Sequence, residues 1–298
     1  MEPIEDRIQA GIWGVLVGDA LGVPHEFTAH PPGEVDMVMP PEFKKRFAKV
    51  PYGTWSDDGS LTLALADSLA DCGRFDAEDY GKKLVAWYTK GAYTPDGVTF
   101  DIGNTTQEAV LRMLRGHAAL NAGLTAENAN GNGSLMRVLP LALFHKGSED
   151  DLFRDAGLSS QITHGHPWSK GACGLYCVAA RHILNGHPPT KAFILGYHAS
   201  TRAGIKIPPL GTPRGSGFVL DSLSYAIMAA RSGCSYEEAV LHAIALGNDT
   251  DTTAAIAGGL VGTRDGMSVI PARWMEKMQG RDVASKIIQR LLEARRAA

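Results

Sequence analysis

Residues 246–255 read LGNDTDTTAA, which crowds two carboxylates and three threonine hydroxyls into the five positions from Asp249 to Thr253. Helix capping accounts for part of this, because Asp and Thr at a helix start accept hydrogen bonds from the unpaired amides of the first turn, and AAIAGGLVG follows. One cap uses one residue. Asp249, Asp251 and Thr252 therefore leave oxygen atoms to spare, and closely spaced oxygens suit a hard divalent cation such as Mg²⁺, Mn²⁺ or Ca²⁺. A second cluster, Ser56, Asp57 and Asp58, likewise stands before an apolar helical run, SLTLALADSL. Together the two helix starts can enclose one or two divalent ions in a helical core. Neither is an EF-hand loop: counted from Asp249, Ala254 occupies the place of the turn glycine.

Other chemistry-bearing residues are less pointed. Cys173 and Cys177 are one helical turn apart and follow His164 and His166, but GACGLYCVAARHIL reads as a buried helix in which cysteine acts as a small hydrophobe, so zinc is not expected. Four scattered cysteines are too few for a disulfide framework and are read as thiols. Two Gly-rich stretches, Asn130 to Ser134 and TPRGSGF at 212–218, offer backbone amides that can cradle a pyrophosphate without a basic patch. No P-loop and no post-strand GxGxxG occurs.

The elements that must position these residues are helices. Apolar residues recur at helical spacing in IEDRIQAGIWGVLVGDALG, SLTLALADSLA, AEDYGKKLVAWYTKG, TTQEAVLRMLRGHAAL, SLMRVLPLALFHK, GACGLYCVAARHILNG, FVLDSLSYAIMAARS, YEEAVLHAIAL and ASKIIQRLLEARR. Alternating strand-like runs are nearly absent, and no Pro/Ser-rich linker divides the chain. The expectation is one all-α domain over residues 1–298 with buried central helices. The 34 glycines and many alanines suit helices that approach closely. Residues 23–55, with six prolines, are the least helical stretch and are expected to form a long loop bordering the site.

Composition narrows the partners. With 44% apolar residues, 20% charged residues and a formal net charge of −3, the chain has ample core and no basic stripe, so nucleic acid is expected only as a modified substrate. The N-terminus lacks a signal-peptide pattern and no stretch reaches the length of a membrane helix, which points to a cytoplasmic setting without membrane contact.

In order and spacing, GDALGVPHEF, TWSDD, DIGNTT, NGNGSLMRVLPLAL, THGHP, SGFVLDSL and GNDTDTTAAIAGGL resemble the motifs of the ADP-ribosylglycohydrolases, from about Gly14 to Gly262. The resemblance implies an all-α fold and a two-metal centre that holds ADP-ribose. It makes Ser56, Asp57 and Asp58 ligands from one side and Asp249, Asp251 and Thr252 ligands from the other, for two Mg²⁺ or Mn²⁺ ions. Glu26 matches a glutamate near the metals, and Asp101 and Asn104 match the segment lining the distal ribose. His164 matches a histidine of the ADP-ribose pocket, and Asn132, Gly133, Ser134, Gly215, Ser216, Gly217 and Phe218 fall in its substrate-binding segments. Phe218 departs from the tyrosine of the nitrogenase-regulating branch, keeping a stacking face and losing a hydroxyl. Asp19, inside GDALG, reads as a structural acceptor.

The chemistry so implied is hydrolysis of the bond from C1″ of the distal ribose, with Glu26 and Asp101 as candidates for the proton transfers. Arginine-linked ADP-ribose on protein is the leading substrate, with free ADP-ribose as product; serine, nucleobase and small-molecule linkages stand behind it. Two other classes remain, a metal-dependent phosphohydrolase and a non-catalytic ADP-ribose-binding or structural member of the same fold.

Overall fold

Local sequence sets the helix ends. Ser, Asp or Gly stands at many of them, as at Ser56, Asp76, Ser148 and Ser235, whose side chains accept hydrogen bonds from first-turn amides. The computed structural model describes residues 2–28, 35–38 and 50–297. In chain order its helices are α1 (Ile4–Gly22), α2 (Asp57–Cys72), α3 (Ala77–Lys90), α4 (Asn104–Leu114), α5 (Ala119–Ala122), α6 (Leu139–Phe144) and α7 (Glu149–Gln161). They continue with α8 (Pro167–Leu184), α9 (Pro189–Arg202), α10 (Val219–Ser232), α11 (Tyr236–Ala245), α12 (Thr250–Asp265), α13 (Ala272–Met275) and α14 (Arg281–Ala297). Only isolated bridges, Leu124 with His164 and Gly131 with Phe218, interrupt the helical pattern among the described residues. The all-α expectation holds.

Two helices have no polar face and form the centre. In α1 everything from Arg7 to Gly22 except Gln9 is buried, and α12 is buried from Thr250 to Thr263. They run antiparallel in near backbone contact. A methyl group added at Gly14 would stand 2.4 Å from the Gly258 carbonyl oxygen, one at Gly18 2.5 Å from that of Ala254, and one at Gly22 2.2 Å from Asp251 Cα. The glycines thus remove the side chains that would separate the helices, which brings the two acidic segments to the same end of the core. Polar bonds lock the pair: Tyr236 Oη donates to the Gly14 carbonyl (2.9 Å) and Thr250 Oγ1 to that of Gly22 (2.8 Å). Buried Arg7 donates to the carbonyls of Thr263 (2.8 Å) and Leu184 (2.6 Å), tying α1 to the ends of α12 and α8.

The proline-rich stretch is only partly visible: Val23–His25 form a 3₁₀ turn, while residues 29–34 and 39–49 lie outside the described residues. The helices α7 and α9 lie outside the segments singled out by periodicity. Cys173 and Cys177 are buried in α8 as free thiols. No described helix is long and apolar enough to cross a membrane.

Candidate active site

Capping assigns the first residues of the site. Asp19 Oδ1 and Oδ2 accept the Ser56 amide (3.0 and 2.9 Å), and Oδ2 accepts that of Gly59 (2.8 Å), so a carboxylate from α1 caps the start of α2. This is the structural role expected of Asp19. Ser56 Oγ accepts the Asp58 amide at 3.3 Å. With Asp19 and Ser56 serving these amides, the carboxylates of Asp57 and Asp58 stand available for other partners.

At α12 the capping explanation fails for the residue in the capping position. Asp249 makes no side-chain capping bond; its Oδ2 accepts the Asn132 amide at 2.8 Å, while its own N–H donates to the Gly215 carbonyl at 2.9 Å. Thr252 Oγ1 donates to Asp58 Oδ2 at 3.2 Å, joining the two clusters. One carboxylate oxygen each from Glu26, Asp249 and Asp251 lies within 4.8 Å of the other two, and all three residues are buried. Asp58 Oδ1 and Asp251 Oδ1 are buried without a hydrogen-bond partner. Orphaned carboxylate oxygens in an all-oxygen set are the donor chemistry of a hard divalent cation.

Electrostatics agrees. Burial, and then the negative charge of Asp101, Asp19, Glu26 and Asp249, push Asp57 well above the usual carboxylate range. Asp58 and Asp251 are raised in the same way, by burial first and by neighbouring carboxylates second. Burial also lifts Asp19, to about 7, against its hydrogen bonds from Ser56 and Gly59. So much uncompensated charge calls for protons or cations.

A cleft of about 410 Å³ opens onto this cluster. Glu26, Asp57, Asp249, Asp251 and Thr252 line it together with residues 101–106, Gly131 to Gly133, His164 and Gly217. Asp101 adopts a left-handed backbone (φ 53°), two residues before Gly103, which stands at the capping position of α4. His164 is buried, and burial followed by the charge of Arg137 lowers its pKa to about 3. A larger cavity of about 810 Å³ beside α9 and α10 has no acidic lining.

Several expected residues stand behind the cleft surface. Ser134 Oγ lies 2.9 Å from Ser160 Oγ and accepts from Cys173 Sγ (3.5 Å), facing the core. Ser216 gives both its amide and its hydroxyl to Asp221 Oδ2, at 2.7 and 2.9 Å, and Gly215 serves Asp249 through its carbonyl. Phe218 is half exposed at the start of α10, edge-on to Trp168 at 6.3 Å, and lines a neighbouring cavity of about 250 Å³.

The family model described as ADP-ribosylglycohydrolase matches residues 1–298. This chain belongs to that family. The ADP-ribosylarginine hydrolase Tri1 of Serratia proteamaculans is 32% identical over 297 residues, covering 96% of this chain and 79% of that protein. The ADP-ribosyl-dinitrogen reductase glycohydrolase of Rhodospirillum rubrum is 27% identical over 288 residues, covering 92% and 91%. A solved ADP-ribosylglycohydrolase-related protein complex superposes with a TM-score of 0.76 at 28% identity, over 99% of this chain and 100% of that one. The protein is thus an ADP-ribosylglycohydrolase, an enzyme of glycosidic bonds.

Within this ADP-ribosylglycohydrolase, three residues carry more than their sequence suggested. Asn132 bonds a cluster carboxylate, and Arg137 and Thr163 form a buried chain to His164. The one signal for Arg137 is a charge inside the apolar run LMRVLPLAL; in the fold it bonds Thr163 through Nη2, while its Nε and Nη1 are buried without a hydrogen-bond partner among the described residues.

Proposed function

We propose that this ADP-ribosylglycohydrolase removes ADP-ribose from arginine side chains of modified proteins, as a cytoplasmic enzyme whose residues 1–298 form one catalytic domain. The observation that carries the reaction is the buried set of Glu26, Asp249 and Asp251 at a polar cleft, with unpartnered oxygens on Asp58 and Asp251. Arginine as acceptor is favoured by the relatives named ADP-ribosylarginine hydrolase, at 32% and 31% identity over 96% and 97% of this chain. Four unpaired cysteines suit a reducing compartment.

Ser56, Asp57, Asp58, Asp249, Asp251 and Thr252 would hold two divalent cations, Mg²⁺ or Mn²⁺. The chemistry such a pair supplies is Lewis-acid fixing of the ribose hydroxyls and a lowered pKa for the attacking water. The chain's own residues do the rest. Asn104 and the amides of Gly133 and Gly217 orient the sugar and pyrophosphate, and His164 donates to a ligand oxygen. The carboxylates of Glu26 and Asp101 share the proton traffic: one takes a proton from water as its oxygen bonds to C1″, and the other protonates the arginine nitrogen as the C1″–N bond breaks. One water is consumed, and ADP-ribose and free arginine leave.

The test is release of ADP-ribose from arginine-linked and serine-linked peptides, with Mg²⁺ or Mn²⁺ and with chelator, for the wild type and Asp251→Ala. Metal-dependent release from the arginine peptide, absent in the variant, is expected. Cleavage of the serine peptide alone reassigns the acceptor. Release of inorganic phosphate would mean a phosphohydrolase, and ADP-ribose binding without turnover a binding protein.

A further inference from the structure

Arg137 and Thr163 form with His164 a buried chain of side chains, of which His164 alone lines the cleft. Arg137 is fully buried between the Asn132–Ser134 turn and α6, with its guanidinium carbon 5.6 Å from the Tyr80 ring centre. Its Nη2 donates to Thr163 Oγ1 at 2.7 Å, and Thr163 Oγ1 lies 2.7 Å from His164 Nδ1. Donor and acceptor roles follow from elementary inventory. A guanidinium only donates, so the Thr163 oxygen is an acceptor on that side. Its hydroxyl hydrogen has no other partner among the described residues, and His164 Nδ1 is within reach. An Nδ1–H facing the same oxygen would strand that hydrogen in a buried site. The hydroxyl therefore donates to Nδ1, and the imidazole proton sits on Nε2.

We infer that Arg137, acting through the Thr163 hydroxyl, fixes His164 in the Nε2–H tautomer, so that the ring presents a hydrogen-bond donor to an oxygen of the ligand in the cleft. The ring edge bearing Nε2 faces the Gly131 to Gly133 turn: a methyl group at Gly131 would lie 3.5 Å from Nε2, and one at Gly133 3.0 Å from Cε1. The backbone cannot swing the ring away, because the His164 amide donates to the Ser160 carbonyl (2.7 Å) and its carbonyl accepts from Ser160 Oγ (2.8 Å). Burial and the Arg137 charge hold the imidazole neutral down to about pH 3, which keeps the Nδ1 lone pair as acceptor of the Thr163 hydroxyl across neutral pH. With Nδ1 occupied by Thr163, the ring has no free lone pair in the cleft. His164 is therefore a fixed donor rather than a proton carrier, and Arg137 and Thr163 are positioning residues.

The ligand half of this inference rests on the reading that the cleft takes ADP-ribose. Nitrogen-15 resonances of His164 in the full-length protein report the tautomer directly, and calorimetry with ADP-ribose reports the donor's contribution. The wild type should show protonated Nε2 and unprotonated Nδ1. Thr163→Val should mix the tautomers, weaken ADP-ribose about tenfold and raise KM by a similar factor at nearly constant kcat, as expected when a ground-state contact is lost. Thr163→Ser should restore all three. Protonated Nδ1 in the wild type overturns the inference whatever the variants do, and so does a Thr163→Val protein with unchanged tautomer and affinity. A wild type with protonated Nε2 that does not bind ADP-ribose would instead sink the functional reading and leave the tautomer assignment standing.

Discussion

The Thr252 hydroxyl donates to Asp58 Oδ2 at 3.2 Å, a hydrogen bond across 194 positions of sequence that joins the start of α12 to the start of α2. It is the one direct side-chain bond between the two acidic segments among the described residues. Thr252→Val keeps the shape and removes the oxygen, so Mn²⁺ affinity measured by calorimetry should fall about 10–100-fold, while Thr252→Ser holds it near the wild-type value. Equal affinity in all three proteins would show that Thr252 contributes only packing.

Metal should reverse the pH dependence of stability. Burial, and neighbouring carboxylates second, raise Asp57, Asp58 and Asp251 above the ordinary value of 3.8, so the folded chain keeps protons that the unfolded chain has lost. The stability these groups contribute is present below 3.8 and is lost as pH rises through their raised folded values. Surface acids held low by their cationic partners, such as Asp36 and Asp71, slope the other way, but equally in wild type and variant. Metal-free Asp251→Asn should therefore melt above the wild type at pH 8, by roughly 2–4 °C per kcal/mol relieved, with the gap closing near pH 4. Added Mg²⁺ should invert the order at pH 8. Identical melting curves at both pH values would argue against a repulsive cluster.

Close packing of α1 on α12 should be as critical to the site as any ligand. An Ala methyl at Gly22 would stand 2.2 Å from Asp251 Cα and 2.4 Å from its amide nitrogen, and backbone atoms cannot turn aside as a flexible side chain can. Gly22→Ala should cost about 1–3 kcal/mol or more in denaturant unfolding and weaken Mn²⁺ binding, because it shifts the segment bearing Asp249 and Asp251. Gly211→Ala, where nothing lies within 4 Å, serves as the control and should change neither.

What the sequence made legible follows the range of each interaction. Helical periodicity is local, and the segment read from Ile4 to Gly22 coincides with α1 to the residue. In α7 the signal is thin, since EDD opens the helix and few large apolar residues mark its buried face; α9 buries mainly small ones, Ala192, Gly196 and Ala199 beside Phe193. The acidic clusters stood out because two adjacent carboxylates exceed what a cap can use. Pairings such as Asn132 with Asp249, 117 positions apart, or Arg137 with Thr163, leave no periodic or compositional trace, because only the fold brings them together. Ser134 and Ser216 show the converse: Gly-rich spacing suggested a phosphate cradle, whereas their hydroxyls are engaged by Ser160 and Asp221.

Asn132 separates two roles that its sequence context merges. By motif it belongs with Gly133 to a substrate cradle, yet both hydrogens of its amide are committed, to Asp249 Oδ2 at 2.8 Å and to Ser222 Oγ at 3.0 Å. Its backbone N–H donates to the Gly217 carbonyl at 3.0 Å and survives any side-chain change. Asn132→Leu keeps the volume and deletes the donors, leaving Asp249 free to rotate. If the amide orients Asp249 for a cation, Mn²⁺ affinity measured without substrate should fall about 10–100-fold, and saturating Mn²⁺ should recover most of the turnover. If the amide instead serves ADP-ribose, metal affinity stays at the wild-type value and the loss appears wholly in KM, which no concentration of metal repairs. The 2.8 Å bond to Asp249 predicts the first result.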